Sequence, residues 1–170
     1  MKRAKGWMLA IMLAGCGASQ DKAMTDFKLS STAFAEGQPI PRDYSCEGEN
    51  RPPPLSWSKP PDGTLSFALV VDDPDAPSGT FHHWGIYDIP ATARAPAPAA
   101  REVPNDFGKP GYGGPCPPPG HGAHRYRFKL YALSVDKLDL PAGAKIPDLE
   151  REAERRALGR AELMGTYERK

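Results

Sequence analysis

Apolar and polar residues alternate along this chain in patterns that predict a domain built mainly from β-strands. Residues 65–71 form a nearly continuous apolar run, which predicts a strand buried on both faces. Residues 124–130 place His, Tyr, Phe and Leu at every second position between Arg and Lys. This period predicts a strand with one buried face and one face that is solvated or paired with acids. Weaker strand patterns cover residues 27–32 and 83–89, and the second of them stops at Pro90.

A single helix is predicted near the C-terminus. Asp148 stands at the expected N-cap position, directly after a turn region at residues 141–147. A helix from Asp148 to about residue 164 would carry a narrow apolar stripe and would therefore pack on the domain. The stripe consists of Leu149, Ala153, Ala157 and Ala161.

Composition supports a loop-rich β domain and argues against two other classes of protein. The 170 residues include 20 Pro and 17 Gly, well above the usual combined share of about 12%. Many of them lie in residues 36–63 and 104–123, which are predicted to be long ordered loops. The formal net charge of +1 argues against nucleic-acid binding driven by bulk basicity. Six Phe, six Tyr and three Trp exclude a disordered polyelectrolyte.

The N-terminus has the pattern of a bacterial targeting signal. Residues 1–5 are basic, residues 6–13 are apolar but too short to span a bilayer, and the Leu-Ala-Gly-Cys run that ends at Cys16 resembles a lipobox. The resemblance implies cleavage before Cys16, lipid attachment there, and a periplasm-facing protein anchored in the bacterial cell envelope. The alternative is an ordinary signal peptide with an incidental cysteine. The predicted divisions are residues 1–15 for the signal peptide, 16–24 for the tether and 25–170 for the domain.

Two cysteines remain after Cys16. Cys46 and Cys116 both lie in Pro/Gly-rich loops, where a disulfide would stabilise irregular backbone. Two unpaired thiols are the alternative, because sequence does not give the distance between them. Neither cysteine has a Cys-x-x-Cys partner, so a zinc site is not favoured.

Polar side chains are concentrated at the ends of the predicted strands. Residues 72–77 supply carboxylates, residues 82–84 supply a pair of histidines, and residues 111–126 combine glycines and prolines with further histidines. Each segment alone is compatible with a purely structural turn, and the His-x-x-His spacing of His121 and His124 is weak evidence for a metal. Together they would form a pocket in which a carboxylate fixes an imidazole tautomer and imidazolium groups attract an anion.

The order of these motifs resembles the phosphatidylethanolamine-binding protein family, and more narrowly its bacterial Raf-kinase-inhibitor-like branch. The motifs are Asp-Pro-Asp-Ala-Pro at 73–77, His-His-Trp at 82–84, Gly-Pro-Cys-Pro-Pro-Pro-Gly at 114–120 and His-Arg-Tyr at 124–126. Further matching stretches are residues 46–50, 53–57, 105–108, 131–133 and 165–167. The resemblance covers about residues 25–170. It implies an all-β-dominated fold, with two antiparallel sheets joined by Greek-key connections and a peripheral C-terminal helix.

The resemblance also implies one small anion pocket. Its residues, carried over motif by motif, are Asp73, Asp75, Pro77, His83, Pro118, His124 and Tyr126. His83 and His124 are expected to donate hydrogen bonds to the anion. Asp73 is expected to orient an imidazole, and the Tyr126 hydroxyl to close the pocket. His121 is an extra titratable group near the mouth.

The predicted function is the binding of a small anionic or phosphate-containing ligand by a membrane-anchored protein, without a cofactor, a metal or a nucleic acid. No Gly-x-Ser-x-Gly elbow occurs, and Cys116 lacks a helix N-terminus to activate it, so no catalytic residue is assigned. Two alternatives stay open. One is an inhibitor or regulator of an enzyme or signalling protein, as the resemblance allows. The other is a hydrolase that uses His83 or His124 as a general base.

Overall fold

The structure is a computed structural model that describes residues 26–170. The predicted signal peptide, the tether and the lipid-attachment residue Cys16 lie outside the described residues. No helix within residues 26–170 combines the length and the apolar character needed to cross a membrane.

Within residues 26–170, seven strands form two antiparallel sheets. The strands are β1 (Lys28–Ser31), β2 (Leu55–Ser58), β3 (Ser66–Asp73), β4 (Phe81–Pro90), β5 (Arg101–Glu102), β6 (His124–Leu133) and β7 (Ala157–Tyr167). Strands β1 and β2 pair with each other, and the other five follow the order β5-β4-β3-β6-β7. Because β6 returns after β5 to lie beside β3, strands β3 to β6 have the Greek-key order. The predicted fold class is therefore confirmed.

Strand β3 occupies the centre of the larger sheet, and all eight of its residues are buried. Successive side chains point to opposite faces of a strand, so each face of β3 contributes to a different apolar cluster. Phe67 and Leu69 join the core between the two sheets, where the Phe67 ring lies 5.3 Å from that of Trp57. Ala68 and Val70 pack under the helix. The continuous apolar run thus produces a strand covered on both sides, as predicted.

The predicted C-terminal helix ends earlier than expected. Helix α1 spans Ile146–Arg156, and the chain then enters β7, which pairs with β6 along almost its whole length. The prediction of a helix to about residue 164 was therefore wrong in its second half. Ala157 and Ala161 are four residues apart, and this spacing places two side chains on one face of a helix or of a strand. Pairing with β6 selects the strand.

The start of α1 differs from the prediction by three residues. Lys145 is the N-cap, and Asp148 is the third helical residue. The Asp148 carboxylate accepts a hydrogen bond of 3.0 Å from the backbone N–H of Lys145. Asp148 therefore supports the helix N-terminus from within the first turn, as the acidic member of a capping box does.

Candidate anion-binding site

A cavity of about 190 Å³ opens at one edge of the larger sheet. Three strands meet there, because β3 ends, β4 begins and β6 begins at this edge: Asp73 pairs with Phe81, and Asp72 pairs with Arg127. Loops between these strands complete the wall. The lining residues are Asp73, Ala76, Pro77, Phe81, His83, Phe107, Cys116, Pro117, Pro118 and His124.

Asp73 and His124 form a buried pair in the wall of the cavity. Nδ1 of His124 lies 2.7 Å from Oδ2 of Asp73, and both side chains are almost fully inaccessible to solvent. The other carboxylate oxygen, Oδ1, accepts the backbone N–H of Asp75 at 2.9 Å. With Asp73 ionised, Nδ1 of His124 carries the hydrogen, so any exchange of protons or ligands at this ring takes place at Nε2.

His83 contributes a second imidazole to the cavity. Its Nδ1 lies 2.7 Å from the carbonyl oxygen of Gly113, which can only accept, so Nδ1 donates. Burial lowers the pKa of His83, which favours the neutral ring. A neutral ring that donates through Nδ1 presents Nε2 as an acceptor. The expectation that His83 donates to an anion therefore applies only to its protonated form.

The proline wall of the cavity is fixed by contacts with residues 44–50. A disulfide joins Cys46 to Cys116, with the two Cα atoms 5.4 Å apart. The backbone N–H of Gly114 donates to Oδ1 of Asn50 at 2.7 Å, and a Cβ at Gly114 would lie 2.3 Å from the carbonyl oxygen of Tyr44. Only glycine permits this approach, so the wall is held close to residues 44–50.

Two aromatic residues of the cavity were missed by the sequence analysis. Phe81 and Phe107 stand edge to face with ring centroids 4.8 Å apart, and each also contacts the ring of His83. Buried Asn105 holds the Phe107 loop: its Oδ1 accepts the N–H of Phe107, and its Nδ2 donates to Gly111. Phe107 belongs to the Asn-Asp-Phe-Gly stretch that was quoted for the resemblance. An aromatic side chain within this short polar stretch that ends in glycine is the sequence signal that could have identified it.

Asp75 pairs with Arg125 at the start of β6. Its carboxylate accepts two hydrogen bonds from the Arg125 guanidinium, at 2.9 and 2.6 Å, and a third from the Arg125 backbone. The guanidinium lowers the pKa of Asp75 to about 2. Asp75 is not among the cavity-lining residues, and its partner suggests that it fixes the start of β6.

Tyr126 lies behind the cavity. Its ring packs edge-on against His83, with centroids 5.2 Å apart, and the residue is fully buried. Its hydroxyl is buried without a hydrogen-bond partner among residues 26–170, and burial raises its pKa. The Tyr126 ring therefore supports His83, and Tyr126 is not among the cavity-lining residues. Pro77, His83, Pro118 and His124 are brought together around Asp73 as expected.

The lining chemistry combines a carboxylate and two imidazoles with an otherwise apolar wall. Among residues 26–170, no group of three or more His, Cys, Asp or Glu side chains is arranged to hold a metal ion. The sulfur of Cys116 is consumed by the disulfide. The cavity can therefore bind a small ligand whose polar group forms hydrogen bonds with the imidazoles and whose apolar portion contacts the rest of the wall.

A family model described as phosphatidylethanolamine-binding protein matches residues 30–168. The chain belongs to this family. A UPF0098 protein from Aquifex aeolicus is 47% identical over 148 residues, which cover 82% of this chain and 86% of the relative. A Mycobacterium tuberculosis relative named "Putative lipoprotein LppC" is 47% identical over 145 residues, which cover 82% of this chain and 71% of the relative.

Solved structures of the family agree with the fold. E. coli YbcL, described as a new member of the mammalian PEBP family, superposes with a TM-score of 0.80 at 32% identity, over 85% of this chain and 99% of that one. A PEBP homologue from Chlamydia trachomatis, CT736, gives 0.78 at 37% identity, over 86% and 99%. The family and the two-sheet fold are thus shown by sequence and by structure.

Proposed function

We propose that this protein is a lipid-anchored envelope protein that binds a small anionic or phospho-headgroup ligand in the cavity between His83 and His124, without turnover. The observation that carries the proposal is the buried pair of Asp73 and His124 in the wall of that cavity. A carboxylate beside an imidazole favours the protonated ring, which is a hydrogen-bond donor with positive charge. The protonated pair is neutral overall, so it can receive a negatively charged oxygen without an adjacent net repulsion.

The tautomer of His83 narrows the class of ligand. Neutral His83 offers an acceptor at Nε2, because Nδ1 donates to Gly113. A matching ligand therefore carries a hydrogen-bond donor beside its negative oxygens. Monoprotonated phosphate, a phosphate monoester and phosphoethanolamine have this combination. The aromatic edges of Phe81 and Phe107 favour an apolar portion next to it.

The lining residues also support binding over catalysis. The cavity wall contains neither a serine or threonine hydroxyl nor a free thiol, and Cys116 is in a disulfide. Covalent catalysis through a hydroxyl or a thiol would require such a nucleophile next to a histidine. Binding without turnover needs only the imidazoles and the carboxylate.

Calorimetry tests the binding proposal. Inorganic phosphate, phosphoethanolamine and a short-chain phosphatidylethanolamine are titrated into the protein, so that free phosphate and lipid headgroup are distinguished. We expect saturable binding that falls at least about 10-fold in His124→Ala, because a charge-assisted hydrogen bond is lost. His82→Asn is the matched control, since His82 pairs with Asp106 outside the cavity lining. Equal binding by His124→Ala, or none by the natural protein, would contradict the proposal.

Membrane attachment is tested separately. Growth of an expressing bacterium with a labelled fatty acid should label the natural protein and leave Cys16→Ser unlabelled. The Leu-Ala-Gly-Cys run and the lipoprotein name of the mycobacterial relative support this expectation. Label on Cys16→Ser, or an unlabelled natural protein that is nevertheless processed, would contradict the anchor and favour an ordinary signal peptide.

A further inference from the structure

The side chain of His121 contacts Nε2 of His124, the ring nitrogen that a ligand would need. Nδ1 of His121 lies 2.7 Å from Nε2 of His124, and the two ring centroids are 5.0 Å apart. The other nitrogen of His124 is engaged by Asp73. Both nitrogens of the buried imidazole are therefore in use, and the anion site has no free donor on this ring.

The Nε2 atom of His124 is unavailable to a ligand in two protonation states of the His121 and His124 rings. When both rings are neutral, His124 donates through Nδ1 to Asp73, and its Nε2 accepts the hydrogen on Nδ1 of His121. One additional proton leaves a single hydrogen between the two rings, whichever ring carries the charge. In both states Nε2 of His124 cannot donate to an anion while His121 stays in place.

His121 is held in place by few contacts. It is an exposed residue between Gly120 and Gly122, whose φ values are +73° and +87°. Its backbone N–H donates to Pro118, and the only side-chain hydrogen bond recorded for it in residues 26–170 is the one to His124. A Cβ at either glycine would meet no atom within 4 Å, so the space around the turn is open. The ring can leave by rotating its side chain into solvent.

We propose that His121 is a gate and a specificity-determining residue for the anion site, which competes with the ligand for Nε2 of His124. This inference rests on the proposed function. The exchange uses the additional proton: when an anionic oxygen replaces His121, this proton stays on Nε2 of His124, which donates to the oxygen while Nδ1 donates to Asp73. A hydrogen bond to a charged oxygen is about twice as strong as one between neutral groups. A phosphate-like oxygen therefore displaces His121 from Nε2 of His124, whereas weaker, neutral acceptors do not.

The competition lowers the apparent affinity of the ligand. An observed dissociation constant equals the intrinsic one divided by the fraction of molecules in the open state. Removal of the His121 ring should abolish this closed state while leaving Asp73, His83 and His124 unchanged. If His121 competes with the ligand, removal of its ring should increase ligand affinity. If His121 instead contacted the ligand, removal of the ring should decrease ligand affinity.

The test measures inorganic phosphate binding to the full chain by calorimetry in four forms. These are the natural protein, His121→Ala, His121→Phe and the double variant His121→Ala with His124→Ala. We expect His121→Ala to bind phosphate about 5-fold more tightly, which is the effect of removing one competing hydrogen bond. His121→Phe, which keeps a ring but cannot hydrogen-bond, should also bind more tightly. The double variant should lose the gain.

Equal or weaker binding by both His121 variants, alongside clear binding by the natural protein, would overturn the gate and leave the proposed function intact. Absence of phosphate binding in all forms would overturn the proposed function together with the gate. Binding by His121→Ala alone would support both. A neutral acceptor such as acetamide provides the second arm: it should bind His121→Ala and His121→Phe more tightly than the natural protein, and equal acetamide binding by all three forms would overturn the selectivity.

Discussion

Two neighbouring aspartates of β3 experience opposite surroundings. The Asp72 side chain points toward α1, where it meets the basic side chains of Arg127 and Lys129 at 2.7 and 2.6 Å. The Asp73 side chain points to the other face, where it meets the titratable ring of His124. Burial opposes ionisation of Asp72, but hydrogen bonds from the two cations outweigh burial and lower its pKa.

The difference separates a structural carboxylate from a candidate functional one. At Asp72 the partners are two basic side chains, one of which, Lys129, also contacts Glu150 on α1. At Asp73 the partner is the imidazole of His124, which lines the cavity, so this pair can contact a ligand. A shift of one residue along a strand moves a side chain to the opposite face, and this alternation assigns the two roles.

The largest expected effect is a loss of stability when the ion pairs of Asp72 with Arg127 and Lys129 are broken. Asp72→Asn should lower the free energy of unfolding by about 3 kcal/mol, because a buried lysine and an arginine lose their shared partner. Phosphate affinity should stay within about 2-fold of the natural value, since Asp72 faces away from the cavity. Urea unfolding and calorimetry measure the two quantities. A stable Asp72→Asn protein with impaired binding would reverse the assignment.

The matched substitution of Asp73, on the other face of β3, should mainly affect phosphate affinity and have a smaller effect on stability. Asp73→Asn should reduce phosphate affinity about 10-fold or more, because the His124 ring loses the carboxylate that accepts its Nδ1 hydrogen. Its unfolding free energy should fall by only about 1 kcal/mol, the value of a neutral hydrogen bond replacing a charged one. The same two assays apply. If Asp73→Asn destabilised the protein as strongly as Asp72→Asn while binding normally, Asp73 would be a structural residue.

The pH dependence of stability tests the neutral state of His83. Burial lowers its pKa in the folded protein, so below about pH 6.5 the unfolded chain takes up the proton first. The contribution of His83 is therefore fully present above pH 6.5 and declines as the pH falls toward the lowered folded-state pKa. His83→Asn keeps a donor for Gly113 but does not titrate. Its unfolding free energy should decline less between pH 7.5 and 5, and parallel profiles would show that His83 is not held neutral.

The smallest effect is expected at the rim. Asp75→Asn should change the unfolding free energy by less than about 1 kcal/mol, since its partner Arg125 is more than half exposed. The contribution of Asp75 is present above about pH 3.8 and is lost as the pH falls through its lowered pKa of about 2. Phosphate affinity should change by less than about 2-fold. A larger loss of affinity would return Asp75 to the ligand-binding set.

Much of the fold could be predicted because its signals are local. The apolar run of β3 and the alternation of β6 record which faces are buried, and the basic positions of β6 are paired with acids. Strand β7 was mistaken for helix because its small residues are spaced by four. Gly159 and Gly165 give the better signal: a Cβ at these positions would lie 2.7 Å from Pro61 and 2.6 Å from Ile40, so they mark close packing of a strand.

The candidate site could be predicted only as a set of motifs. The resemblance brought Asp73, His83 and His124 together, although they lie on three strands. Sequence could not give side-chain directions within a loop or at a strand end. For this reason the pairing of Asp75 with Arg125 and the contact between His121 and His124 are seen only in the structure.

The central claim is that an anion binds at His124 and His83, and histidine side-chain NMR tests it most directly. Phosphate is titrated into nitrogen-labelled protein while all four imidazoles are followed. The account predicts saturable shifts for His124, His83 and His121, with one common dissociation constant, and an unchanged signal for His82, whose Nδ1 stays with Asp106. Four unchanged imidazoles, or a response of His82 equal to that of His124, would contradict it.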